Sequence, residues 1–132
     1  QFLGVLIMVN QRSFTFQKYD IEFELAGKQF TLDPFNYEFM QKVETKGNEL
    51  DQAFQNFRDR QNSDVKEDAM AALETLLQII QEYIDLICGP GEYNRLWEEC
   101  RHNVNGIYEA AVYLTEIYAE AAQMKMQKYT GQ

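Results

Sequence analysis

Few side chains in this sequence could take part in covalent chemistry. There is one histidine, His102, with two serines, Ser13 and Ser63, and two cysteines, Cys88 and Cys100. A Ser–His–Asp site needs a serine held against a base. Ser13 falls in an alternating, strand-like stretch and Ser63 at a helix start, where a hydroxyl serves the backbone, so a serine hydrolase is not expected. Cys100 and His102 could in principle form a thiol nucleophile and its base. Structural zinc needs four ligands at short, paired spacings, whereas these cysteines stand twelve positions apart with no second pair. They read as two reduced, largely buried thiols. Glu99-Cys100-Arg101-His102 spells the Glu-x-x-His of a carboxylate di-metal bundle, which requires two such motifs and therefore a second histidine that this chain lacks. Gly89-Pro90-Gly91 resembles a phosphate cradle only superficially, because Pro90 removes an N–H and no Gly-Lys-Ser/Thr follows. No catalytic residue, cofactor or metal is expected, and the chain reads as a non-enzyme.

The elements that would position these groups can be read from the pattern. The chain has 132 residues, 45% of them hydrophobic and 14% aromatic, with a net charge of −9. That is enough apolar surface for one core, and a single domain over 1–132 is expected. The acidity argues against a nucleic-acid binder or an anionic membrane surface as partner. Two cysteines are too few for a disulfide-stapled secreted domain, which favours a reducing compartment. The apolar run Phe2 to Val9 is too short to span a bilayer and has no basic flank. Met8 is a natural start, so residues 1–7 read as upstream or added sequence, and residues 1–11 as an extension.

Residues 12–32 read as strands. Phe14 and Phe16 alternate with Thr15 and Gln17, and Ile21, Phe23 and Leu25 alternate with Glu22 and Glu24. Ala26-Gly27-Lys28 supplies a tight turn into Gln29 to Leu32, giving a β-hairpin or a three-stranded meander with Lys18-Tyr19-Asp20 as a turn or bulge. Residues 33–132 read as helical. Asp33-Pro34 is a cap and first helical position, followed by a stripe of Met40, Val43, Gly47, Leu50, Phe54 and Phe57 to about Gln61, weakened at the glycine. Asn62-Ser63-Asp64 and Glu67 suggest a capping box for a second stripe from Val65 to Ile87, ended by Cys88-Gly89-Pro90. A short helix over Glu92 to Cys100 and a last one from Asn103 to about Tyr129 complete an α+β, mainly α fold: a hairpin packed on a bundle of about four helices. Helices of about 24 residues reach roughly 36 Å, the full width of such a globule.

Charge divides unevenly along the chain. Residues 1–61 carry a net −2 and residues 62–132 a net −7. Glu67, Glu74, Gln78, Glu82 and Asp85 share one helix face, and Glu109, Tyr113, Glu116 and Glu120 another. Such faces are usually only solvated. The alternative is a surface for a basic partner, with Tyr113 as an aromatic anchor among Glu109, Glu116 and Glu120.

The order of parts carries a resemblance. A hairpin with a Gly-Lys turn leads into Asp-Pro and a helix, then Ile84-Asp85-Leu86-Ile87-Cys88-Gly89-Pro90-Gly91-Glu92-Tyr93, then a long terminal helix. This resembles the small tail-assembly-chaperone-like proteins of siphophages and prophages of Gram-positive bacteria, over roughly residues 12–127, with about ten residues carrying its specific part. Asp85, Gly89, Gly91 and Tyr93 match that family's turn. Cys88 stands where an aliphatic residue is expected, Pro90 where a polar one is common and Glu92 where a small one is common. The resemblance implies a non-enzymatic protein of the bacterial host cytoplasm that binds the tape-measure protein or tail-tube subunits during tail morphogenesis. The structural turn is then Gly89, Pro90, Gly91 and Tyr93. A second expectation rests on charge alone: an acidic inhibitor, such as a phage anti-defence protein, occupying a basic groove on a host nuclease. Homo-oligomerisation is open at this level.

Overall fold

The computed structural model describes residues 12–130. The expectations for Phe2 to Val9 lie outside the described residues. The fold is α+β and mainly α, with an antiparallel hairpin, β1 (Ile21–Leu25) and β2 (Lys28–Leu32), followed by four helices. These are α1 (Tyr37–Arg60), α2 (Lys66–Cys88), α3 (Glu92–Glu99) and α4 (Val104–Thr130).

The hairpin forms because its alternation and its turn agree. Ala26 and Gly27 both have positive φ, +49° and +81°, the geometry that matches the twist of a two-residue hairpin loop. The resulting register pairs Phe23 with Phe30, and their rings stack 5.5 Å apart on the buried face. Of the two arrangements expected, the hairpin is the one formed, and Phe14 and Phe16 do not add a third strand. Residues 12–20 have no regular structure, and the two rings pack edge-to-face on each other while remaining 78% and 83% exposed. Alternation marks a strand only where a neighbour is available to pair with it, and among the described residues none pairs with β1 on that side.

The helix starts also differ from expectation. Asp33 accepts a hydrogen bond from the Phe35 N–H at 2.9 Å and so makes a local turn. Asn36 caps α1 instead, accepting from the Phe39 N–H at 3.0 Å. Pro34 is fully buried, and its carbonyl accepts from the Tyr118 hydroxyl at 3.2 Å, which ties this turn to α4. At α2 the capping box does not form. Val65 is the cap residue, 47% exposed, and Ser63 Oγ accepts from its N–H.

α2 is the central helix. It packs along α1 on one side and against α3 and α4 on the other, and it contributes Leu76, Ile80, Tyr83, Ile84 and Ile87 to the core. Val43 and Leu50 come from α1, Ile107, Ala111 and Leu114 from α4, and Phe23, Phe30 and Leu32 from the hairpin. Burying each of the large members stabilises by about 1.5–3 kcal/mol relative to leaving it exposed. No helix of the described residues is long and apolar enough to cross a membrane.

Candidate functional site

α1 and α4 both lie on α2, and between them an open groove remains. It has a volume of about 400 Å³ and is floored by Tyr83. Val43, Gly47 and Leu50 form the α1 wall, and Thr115, Tyr118, Ala119 and Ala122 the α4 wall. The floor is fixed by hydroxyls. Thr115 donates to the Ala111 carbonyl at 3.0 Å, which leaves its oxygen to accept from the Tyr83 hydroxyl at 2.6 Å. Burial pushes the Tyr83 and Tyr118 hydroxyls up from the ordinary tyrosine range, and Asp51 and Glu44 respectively add to the effect. Both phenols are therefore neutral hydrogen-bonding groups at physiological pH.

The rim is charged. Glu44, Asn48 and Asp51 follow one another at helical spacing along the α1 edge, and all three are exposed. Neither Glu44 nor Asp51 forms an ion pair or hydrogen bond among the described residues. On the opposite flank of α1 the charges are matched. Lys46 bridges Glu49 and Glu82, each at 2.7 Å, so the lysine pKa is raised and that of Glu82 is lowered, in both cases chiefly by these hydrogen bonds.

The acidic face expected on α4 is split by the fold. Glu109, Glu116 and Glu120 are exposed, but Tyr113 is half-buried, and its hydroxyl donates to the Glu24 carbonyl of β1 at 2.8 Å. Tyr113 therefore holds the hairpin. It lines, with Glu109 and Cys100, a second cleft of about 370 Å³ between the hairpin turn, α3 and α4, and Glu116 and Glu120 are not part of that cleft.

The Asp85–Tyr93 turn is a backbone device. Asp85 accepts from the Tyr93 N–H at 2.9 Å through its side chain and from the Gly89 N–H at 3.0 Å through its carbonyl. Gly89 and Gly91 have φ of +117° and +84°, a conformation that side chains rarely adopt. The turn delivers Glu92 to a corner with Lys28 and Arg95. The Glu92 carboxylate pairs with Lys28 and accepts from Arg95 Nε at 2.8 Å, while Arg95 also donates to the Ala26 and Leu25 carbonyls, each at 3.1 Å. These two cations hold the Glu92 carboxyl below the ordinary glutamate range, the hydrogen bond from Arg95 contributing most.

The thiols and the imidazole are engaged separately. Burial pushes the Cys88 thiol up to about 12, so it is protonated and unreactive at neutral pH. The Cys100 thiol has the Trp97 and Asn103 carbonyls as alternative acceptors, at 3.4 and 3.5 Å. His102 instead bonds to Glu98 at 2.8 Å and stacks on Trp97 at 5.0 Å. The Glu-x-x-His reading of Glu99 and His102 is thus replaced by an i,i+4 pair with Glu98. Among the described residues there is no group of three or more His, Cys, Asp or Glu able to hold a metal ion.

The core stripes read from the sequence hold, since Val43, Leu50 and Tyr83 are buried, but the groove left beside them, completed by Thr115, Ala119 and Ala122, was not foreseen. The available signal was Gly47, a glycine in the middle of a helix. A Cβ placed there meets nothing within 4 Å, so close packing is not what the glycine serves.

No curated protein and no solved structure matches the chain. One family model does, over residues 26–132, which takes in β2, the groove, the Asp85–Tyr93 turn and the Glu92 corner. The chain belongs to that family, a family of unknown function (DUF6673).

Proposed function

We propose that this protein is a non-enzymatic binding protein that acts during phage tail morphogenesis, as a tail assembly chaperone or tail accessory protein in the cytoplasm of the bacterial host. Its partner is the tape-measure protein or a tail-tube subunit. The observation that carries the binding role is the open apolar groove beside α2, with Tyr83 at its floor and uncompensated carboxylates at its rim. A chaperone of exposed partner helices needs such a surface, together with enough charge to keep the complex dispersed. The tail assignment is supported by the sequence resemblance at Asp85, Gly89, Gly91 and Tyr93, all of which have a defined backbone role in the turn.

The test is co-expression with the tape-measure and tail-tube proteins encoded in the same genome, followed by pull-down. Retention and solubilisation of either protein is the expected result. If neither is retained and a DNA-competed, salt-sensitive complex with a nuclease forms instead, the acidic-inhibitor reading replaces this one.

A further inference from the structure

We infer that the α1–α4 groove is the docking site for a cationic amphipathic helix of the partner protein. The inference rests on the helix-binding role proposed above and names the surface and the chemistry it selects. Three observations converge on it. Gly47 costs α1 about 1 kcal/mol of helix propensity relative to alanine, yet a Cβ at that position would meet nothing within 4 Å. With Ala119 and Ala122 opposite, the glycine keeps open a space that no side chain of the described residues fills. The wall from Met40 to Asp51 runs about 16 Å along α1, which matches two to three turns of a bound helix. At about 400 Å³ the groove takes the anchor side chains of such a helix at i, i+4 and i+7 and leaves its backbone outside.

Charge selects among occupants. Glu44 and Asp51 stand at i and i+7 on the same rim, and neither has an ion-pair partner among the described residues. A helix with lysine or arginine flanking its apolar stripe would meet both. A second copy of this chain, with a net charge of −9, brings charge of the same sign to this rim. The chain's own apolar run, Phe2 to Val9, has no charged residue with which to answer the carboxylates.

The test uses the full chain, isotopically labelled for NMR, and an 18-residue helical peptide with leucine at i, i+4 and i+7 and lysine at the flanking positions. A matched peptide with glutamate in place of lysine is the control. The lysine peptide is expected to shift amides in 40–51 and 115–122 and to bind at least tenfold more tightly than the glutamate peptide. Gly47→Leu, which fills the groove, is expected to abolish the shifts while the melting temperature stays at or above wild type. Glu44→Gln with Asp51→Asn is expected to weaken binding at least tenfold and to flatten its salt dependence. Equal binding of the two peptides, shifts confined to other surfaces, or unchanged affinity in Gly47→Leu would each overturn the inference. So would a dimer that Gly47→Leu converts to a monomer, or groove amides of the free chain that move when Leu6→Asp is introduced.

The pull-down separates this inference from the functional reading. Tape-measure or tube protein retained equally by wild type and Gly47→Leu keeps the tail role and removes the groove. Lysine-peptide binding lost in Gly47→Leu, with no tail protein retained by wild type, keeps the groove and removes the tail role.

Discussion

The corner where the hairpin meets α3 and the groove between α1 and α4 treat charge in opposite ways. At the corner, Glu92 is only 8% exposed and is matched by both Lys28 and Arg95, and the remaining Arg95 donors close on two hairpin carbonyls. In the groove, two carboxylates stand at the rim with no cation supplied by the described residues, above a floor closed by the Tyr83 and Thr115 hydroxyls. The corner uses charge to hold the molecule's own parts together, and the groove leaves charge available. Stability measurements should therefore separate the two regions, and binding measurements should separate them in the reverse sense.

The largest expected effect is at the corner. Glu92→Ala removes the shared acceptor and leaves Arg95 half-buried without it, at a cost of about 2–3 kcal/mol in urea denaturation. The pH dependence has the same origin. The Glu92 carboxyl is held below its ordinary range, so its contribution is fully present above the unfolded-state glutamate pKa and is lost as pH falls through the lower folded-state value. Acid titration of stability should be shallower in Glu92→Gln than in wild type across that acidic window. A wild-type slope in the variant would remove Glu92 as the cause.

Next in size is Tyr113→Phe, which deletes the hydrogen bond to the Glu24 carbonyl and should cost about 1 kcal/mol. Hydrogen exchange should show the loss concentrated in β1 and β2. A uniform effect across the helices would mean that the hydroxyl does not specifically hold the hairpin.

Two glycines on helices provide a finer comparison. Gly47→Ala should stabilise by about 0.5–1 kcal/mol, because the new methyl enters open space. Gly106→Ala should show no such gain, because its Cβ would sit 3.1 Å from the Cys100 Cβ where α4 begins against the end of α3. Equal thermal shifts for the two would show that the Cys100 contact relaxes freely. The smallest effects belong to the groove rim. Glu44→Gln and Asp51→Asn should each change stability by less than about 0.5 kcal/mol, as expected of exposed and unpaired carboxylates. A loss at either as large as at Glu92 would end the distinction between the two regions.

Much of the fold was legible because its signals are local. Ala26-Gly27 between alternating residues marks the hairpin, and Cys88-Gly89-Pro90 marks the end of α2. The misreadings have non-local causes. Phe14 and Phe16 alternate like a strand but pair with no strand among the described residues. Asp33 and Asn36 are both competent caps, and the burial of Pro34 under Tyr118 leaves the helix start to Asn36. Tyr113 lies on a charged helix face, yet its hydroxyl reaches a carbonyl 89 positions away.

The charge division holds along the chain but is partly redistributed in space. The second half of the chain carries most of the net negative charge, but Glu82 and Glu92 are answered across space by Lys46 and Lys28 of the first half. The carboxylates left unmatched at the groove, Glu44 and Asp51, come from the half that looked nearly neutral.

The long reach of Arg95 and Tyr113 also sets an order of events during synthesis. The hairpin leaves the ribosome early, but Glu92, Arg95 and Tyr113, which hold it, lie 64 to 89 positions further along the chain. At about 5–20 residues per second, the nascent hairpin waits on the order of 3–18 s for them. Through that interval the hairpin lacks its ties to α3 and α4, and a two-stranded hairpin is at best marginally stable alone. The hairpin is thus among the first segments made and the last to be secured, and for those seconds the nascent chain itself exposes the kind of apolar surface that chaperones shield.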